Sequence, residues 1–150
     1  MTAGLLSSIT VIDMTEGVAG PYAAMLLGDM GANVIKVERR EGDWARTAGK
    51  AALAGVGGAQ FVSLNRNKRD VGLDISTPDG RRIIERLVSQ ADVVVSNYRA
   101  GVMAKLGLGY ARCRELKPEI IYCTVSGFGR TAPMRSFRRV TRSCRRYQAS

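Results

Sequence analysis

Short β-branched runs recur along this chain, separated by stretches whose apolar residues fall at helical spacing. Thr10–Met14 predicts a strand of the first kind. Gly17 and Gly20 then bracket a turn, and Pro21 suits the first residue of a helix, where a missing N–H costs nothing. Tyr22–Met30 is rich in helix formers, and Gly31 stands where a left-handed C-cap belongs. Ala32–Val37 predicts a second strand after almost no linker. Connections this short force a parallel pair with a right-handed crossover, which leaves the first turn and the helix N-terminus at the carboxyl edge of the strands. Open α/β sheets hold their ligands at that edge, phosphorylated ones in particular.

The pattern continues with one interruption. Glu38–Lys50 has no period and reads as a loop, and Ala51–Ala59 is small and glycine-rich, open to either a short helix or an ordered loop. Phe61–Arg69 leads into Asp70–Ile75, which alternates as a strand does. Thr77 fits an N-cap with Pro78 at the first helical position, and Ile83, Ile84, Leu87 and Val88 then share one helical face. The unbroken Val93-Val94-Val95 inside Ala91–Tyr98 suits a central strand covered on both faces. Val102–Leu106 and Ala111–Leu116 are short helical pieces, Pro118 ends the second, and Glu119–Val125 is the last strand before Ser126-Gly127-Phe128-Gly129. The predicted class is α/β, a mostly parallel sheet flanked by helices.

Composition narrows this little, and charge distribution narrows it more. With 150 residues, 45% of them apolar, the chain suits one globular domain. The net charge of +10 is uneven, since residues 130–150 hold seven arginines and no acid. The basicity therefore belongs mostly to the tail. That tail lacks interleaved aromatics and any recognisable motif, which argues against nucleic acid as its partner. Cys113, Cys123 and Cys144 are odd in number and widely spaced, without a leader pattern, so reduced cytoplasmic thiols are expected. The absence of histidine removes Ser-His-Asp and Cys-His machinery and histidine-ligated metals. No apolar run approaches the roughly 20 residues that span a bilayer.

Candidate chemistry gathers at the predicted strand ends. The turn Glu16–Pro21 is either a backbone cradle for a phosphate or thioester group or a plain structural turn, and its G-x-x-G spacing departs from the nicotinamide fingerprint. Glu38-Arg39-Arg40 could address a ribose and an extra ribose phosphate, as in coenzyme A, or could be a solvated loop. Asn65–Arg69 offers donors for a pyrophosphate, or a polar connection. Asn97-Tyr98-Arg99 follows a buried strand directly, and with the other two segments it brings arginine or asparagine to three strand ends. That coincidence favours a shared anionic ligand. Asp13, Asp74 and Asp92 have no partner carboxylate in sequence and fit hydrogen-bonding or capping roles. Trp44 suits packing or the shielding of a ligand.

The segments DMTEGVAGPYAAMLLGDMGANVIKVERREGDWAR, LNRNKRDVGLDISTPDG, ADVVVSNYRAGVMAKLGLGY and CTVSGFGRTAP resemble, in order and spacing, the N-terminal blocks of family III CoA-transferases over residues 9 to about 133. The α-methylacyl-CoA racemases are relatives of that family. The resemblance implies a Rossmann-like large domain, a homodimer in full-length members, and coenzyme A or acyl-CoA as substrate together with a carboxylic acid, with no permanent cofactor or metal. By position in the blocks, the CoA contacts fall on Val18, Ala19, Arg39, Leu73, Asp74, Ile75, Ser76, Asn97, Tyr98, Arg99 and Lys105. The family's nucleophile is an aspartate that forms an anhydride and then a thioester, and its place lies beyond Ser150. No catalytic residue is therefore expected within 1–150, and a CoA-binding but inactive fragment is the expectation. Residues 1–133 read as the CoA-binding region. Residues 134–150 depart from the family in composition and read as disordered or out-of-frame sequence. A racemase relative, a free-standing CoA or nucleotide module, and nucleic-acid binding through the tail are the alternatives.

Overall fold

Thr10–Met14 forms the middle strand, β1, of a five-stranded parallel sheet in the computed structural model. The structure describes residues 4–47, 51–53, 57–127 and 129. Helix α1 (Ala19–Asp29) carries the chain to β2 (Asn33–Glu38), which pairs with β1 from Thr10↔Asn33 to Asp13↔Lys36. One 3-10 turn, Trp44–Arg46, interrupts the next loop. β3 (Ala51–Leu53) and β4 (Gly57–Gly58) then form a small antiparallel pair. Helix α2 (Ala59–Leu64) leads into β5 (Lys68–Gly72), the edge strand beside β2. Helix α3 (Pro78–Ser89) returns the chain across the sheet to β6 (Val93–Ser96), on the other side of β1. Two short helices, α4 (Val102–Lys105) and α5 (Tyr110–Leu116), precede β7 (Ile121–Thr124), which completes the order β5-β2-β1-β6-β7.

The strand order reverses between β1 and β6, and a crevice opens at such a point outside the carboxyl ends of the strands. Alternation along the strands divides the core into two layers. Ile12, Met14, Val37 and Val94 face Ile84 and Val88 of α3, with Met103, Leu108 and Cys113 from the short helices. Val11, Val34 and Val95 face the other way, against Ala24 of α1. Burying an aliphatic side chain contributes roughly 1.5–3 kcal/mol, so these layers hold the strand ends in place. Cys113 is buried and Cys123 exposed, both as free thiols. No helix among the described residues is long and apolar enough to cross a membrane.

Several boundaries differ from those the pattern predicts. Helix α1 starts at Ala19, two residues before Pro21, which still lies in the first turn where its N–H would have no acceptor. Gly31 takes the left-handed conformation expected of it, φ +100°. The third strand is Lys68–Gly72, not Asp70–Ile75. Its charged start hides it from a hydropathy pattern, because Lys68 is a buried cation neutralised by Asp13. Leu73–Ser76 consequently form the turn after the strand. The open segment Ala51–Ala59 resolves into β3, β4 and the start of α2, a helix the pattern misses. The 134–150 tail lies outside the described residues.

Candidate functional site

Charged side chains crowd the carboxyl edge of the sheet in two groups that differ in what satisfies them. The first surrounds the turn after β1. The Thr15 N–H donates to Asp13 Oδ1 at 3.0 Å, the Glu16 N–H to Asn97 Oδ1 at 3.0 Å, and the Gly17 N–H to both Asp43 carboxylate oxygens at 3.2 Å. Lys36 Nζ donates to the Thr15 carbonyl at 2.7 Å and to Asp43 at 3.1 Å. Lys68 Nζ donates to Asp13, to the Pro21 carbonyl and to Asn65 Oδ1, all within 2.9 Å. The side chains of Asp13, Lys36, Asp43 and Lys68 are at most 1% exposed. A buried charge left unpaired costs several kcal/mol, and here each has an opposite partner. Burial still pushes the Lys68 ammonium below its ordinary pKa, against the pull of Asp13.

Within the turn Glu16–Pro21, protein acceptors occupy the Glu16 and Gly17 N–H groups, so this part of the proposed cradle is taken up by the fold itself. Gly17 adopts φ +82° and packs under the Trp44 ring, with Cζ2 only 2.7 Å from where a Cβ would stand. Packing is thus what Trp44 does on its inner side, although the residue remains 54% exposed. Beside the network, Arg46 binds Glu38 and Asp70 and lies over the Phe61 ring, 3.9 Å from its centroid. Glu38 is therefore not available to a ribose. Arg66 and Asn67 both hold Asp29, so Asn65–Lys68 form a structural connection.

The second group is open. A cleft of about 330 Å³ lies over the ends of β1, β2, β5 and β6, lined by Met14, residues 37–41, residues 73–76, Tyr98 and Leu106. The Leu73 N–H donates to the Glu38 carbonyl at 2.8 Å, tying the 73–76 turn to the end of β2. Asp74 accepts from the Ser76 N–H at 3.0 Å and from its hydroxyl at 2.6 Å, bonds that hold the carboxyl below its usual pKa. Thr77 caps α3 through the Gly80 N–H at 3.1 Å. At Gly80 a Cβ would lie 1.9 Å from the Asp74 carbonyl oxygen, so α3 and the turn meet only because no side chain intervenes. Arg39 donates to Glu16 at 2.7 Å with its side chain 57% exposed, while Arg40 makes no salt bridge among the described residues. Burial, and then the Glu16 charge, push the Tyr98 phenol above its ordinary pKa, which keeps its hydroxyl a neutral donor.

Of the residues singled out from sequence, Arg39, Leu73, Asp74, Ile75, Ser76 and Tyr98 converge on the cleft. Asn97 does not line it. Its amide accepts the Glu16 N–H and donates to the Glu16 carbonyl at 2.7 Å, which fixes the backbone below Arg39. Val18, the N-cap of α1, and Ala19, its first residue, are exposed and outside the lining. Arg99 and Lys105 are likewise exposed and outside it, although Leu106 beside Lys105 contributes to the wall. Asp92 accepts the Thr10 N–H at 2.9 Å, a structural role like that of Asp13. Sequence reasoning passed over Lys36 and Asp43, whose signals were a lone cation inside a β-branched strand and an acid three residues before Arg46. No group of residues suited to a metal ion occurs among the described residues.

Comparison with known proteins extends these observations. Residues 6–139 match CoA-transferase family III. The chain is 43% identical over 130 residues to human succinyl-CoA:glutarate CoA-transferase, covering 86% of this chain and 30% of that protein. It is 45% identical over 129 residues to succinyl-CoA:mesaconate CoA-transferase of Haloarcula hispanica, covering 84% and 33%. It thus spans about a third of the length of these relatives. Among solved structures, a CAIB/BAIF family protein from Brucella suis superposes with a TM-score of 0.85 at 39% identity, covering 89% of this chain and 36% of the other. Rv3272 from M. tuberculosis gives 0.85 at 37% identity, covering 92% and 39%.

Proposed function

This chain belongs to CoA-transferase family III, and from that premise we propose that its cleft holds the coenzyme A portion of an acyl-CoA whose CoA passes to a carboxylic acid. The observation that carries the proposal is convergence, since Arg39, Arg40, the 73–76 turn and Tyr98 come from three strand ends to one opening. A phosphorylated adenosine needs cations for phosphate, polar groups for ribose and base edges, and an apolar or planar wall for the ring. Arginine supplies a phosphate fork and a face that stacks on adenine. Met14, Val37, Leu73 and Ile75 supply the wall, and Ser76 and Tyr98 the hydroxyls. At about 330 Å³ the opening is at the small end of ligand pockets and fits the nucleotide end of CoA, with the flexible arm leaving along the sheet edge.

No nucleophile is assigned to these residues. Glu38 is bound by Arg46 and the Asp43 N–H, Asp74 is bound by Ser76, and Glu41 stands exposed at the rim. The contribution of the chain is binding and orientation of the thioester. The names of the relatives support short dicarboxylic acids as the acyl class. A homodimer is supported by Val18, Tyr22, Leu26 and Met30, which recur every four residues along α1 and its two caps and are 38–51% exposed.

Calorimetric titration of the purified chain with coenzyme A tests the reading. Binding in the micromolar range that Arg39→Ala weakens is the expected result. A folded chain that gives no binding heat refutes it.

A further inference from the structure

We propose that Glu16 is a fixed counter-charge that limits how strongly the cleft holds phosphorylated ligands, and that it acts through Arg39. This rests on the reading that the cleft takes coenzyme A. Glu16 Oε1 accepts from Arg39 Nη2 at 2.7 Å, with the glutamate side chain 17% exposed against 57% for the arginine. The two partners are unequally anchored. Asn97 grips the Glu16 backbone on both sides, at 3.0 Å and 2.7 Å, whereas Arg39 reaches into the open cleft on a long side chain.

A guanidinium has five N–H donors, so one bond to Glu16 leaves others for a ligand. The field it presents is another matter, because a carboxylate in contact offsets most of its positive charge. Arg40 lines the same opening and makes no salt bridge among the described residues. The cleft therefore offers one guanidinium in a salt bridge beside one that makes none among the described residues and feels a carboxylate, that of Asp74, only from beyond contact. A ligand phosphate feels the Glu16 charge in proportion to its own, so a phosphomonoester near −2 loses more than a singly charged diester. If Glu16 merely oriented Arg39, removing its charge would leave binding unchanged or weaken it. The counter-charge predicts the opposite sign.

The experiment titrates coenzyme A and 3′-dephospho-coenzyme A into the wild type, Glu16→Gln, Arg39→Ala and the double variant at low salt. Glutamine keeps an acceptor for Arg39 and removes only the charge. The expected result is that Glu16→Gln tightens coenzyme A binding about three- to tenfold. The gain should be smaller for 3′-dephospho-coenzyme A and absent when Arg39 is alanine. A weaker or unchanged affinity in Glu16→Gln, or a gain that survives the loss of Arg39, overturns the proposal. Labelling with phenylglyoxal, read at each arginine by mass spectrometry, reports the contact without ligand. Arg39 should label more slowly than Arg40 in the wild type and match it in Glu16→Ala, and equal rates in the wild type overturn the proposal. If no variant binds coenzyme A while labelling follows the expected pattern, the coenzyme A reading fails and the Glu16–Arg39 contact stands.

Discussion

The turn after β1 and the strand ends a few residues away carry similar side chains at the same edge of one sheet, yet one is closed and the other open. At the turn, Lys36, Asp43, Asp13 and Lys68 neutralise each other at no more than 1% exposure, and the Thr15, Glu16 and Gly17 N–H groups all have protein acceptors. At the end of β2, Arg39 and Arg40 face a cleft, and of the two only Arg39 makes a salt bridge among the described residues. Charge at a strand end is thus not evidence of a site. The site is where donors remain after the fold has satisfied its own, and the buried group serves as the rigid floor that holds it.

Replacing one buried partner should break that floor most severely. Lys36→Met leaves the Asp43 carboxylate and the Thr15 carbonyl without their cation, and removing one member of a buried pair costs about 3–5 kcal/mol. Urea denaturation should show a loss of that size, a large part of the stability of a domain this long. A loss under about 1 kcal/mol would mean that the pair is better solvated than its exposure implies. At the boundary of the open region, Gly80→Ala places a methyl group 1.9 Å from the Asp74 carbonyl. Overpacking of that kind costs about 1–3 kcal/mol, and since the 73–76 turn must move, coenzyme A affinity should fall with it. Gly72→Ala is the control, because the nearest atom there is the Arg40 backbone at 3.9 Å.

The open region should respond in the opposite way. Arg39→Ala removes an exposed ion pair worth at most about 1 kcal/mol, so the denaturation midpoint should hardly change. Calorimetry should nevertheless show coenzyme A affinity reduced about 10- to 100-fold, the scale of one or two charge-assisted hydrogen bonds. A variant that lost stability and kept its affinity would reverse the contrast between the two regions.

What the sequence discloses follows the same division. The parallel sheet, the first strand and the capped start of α3 were legible because β-branched runs, Thr77-Pro78 and Gly31 express local physics. Six of the eleven residues drawn from the family blocks reach the cleft, since residues at strand ends are carried there by topology alone. The buried network was illegible for a physical reason. Lys36 and Lys68 look like surface residues until a partner distant in the chain is folded against them, and only the structure brings Asp43 and Asp13 within 3.1 Å. Asn97 shows the converse, since topology brings it to the strand end while its amide is taken up by the Glu16 backbone.

The smallest predicted effect lies where the two regions meet, at the Arg46 bridge between Glu38 and Asp70. Burial, and then the neighbouring Glu38 carboxylate, push Asp70 up to about 6 from 3.8. Glu38 is pulled down to about 2 from 4.5, because hydrogen bonds from Arg46, Asp70 and the Asp43 N–H outweigh its burial. The raised group favours the folded state while it holds its proton, so its contribution is complete below about 3.8 and disappears as pH rises through about 6. The lowered group contributes above 4.5 and is lost as pH falls toward 2. Together they support the fold best between about pH 3.8 and 4.5, and stability should decline from there toward pH 7. Asp70 is 43% exposed on its side chain, so screening reduces the decline to roughly 1 kcal/mol or less. Asp70→Asn removes the titration, and urea midpoints at pH 5 and pH 7 should then differ less than in the wild type. Equal differences in the two proteins would show that Asp70 ionises as an ordinary surface acid, and that the closed network ends at Glu38.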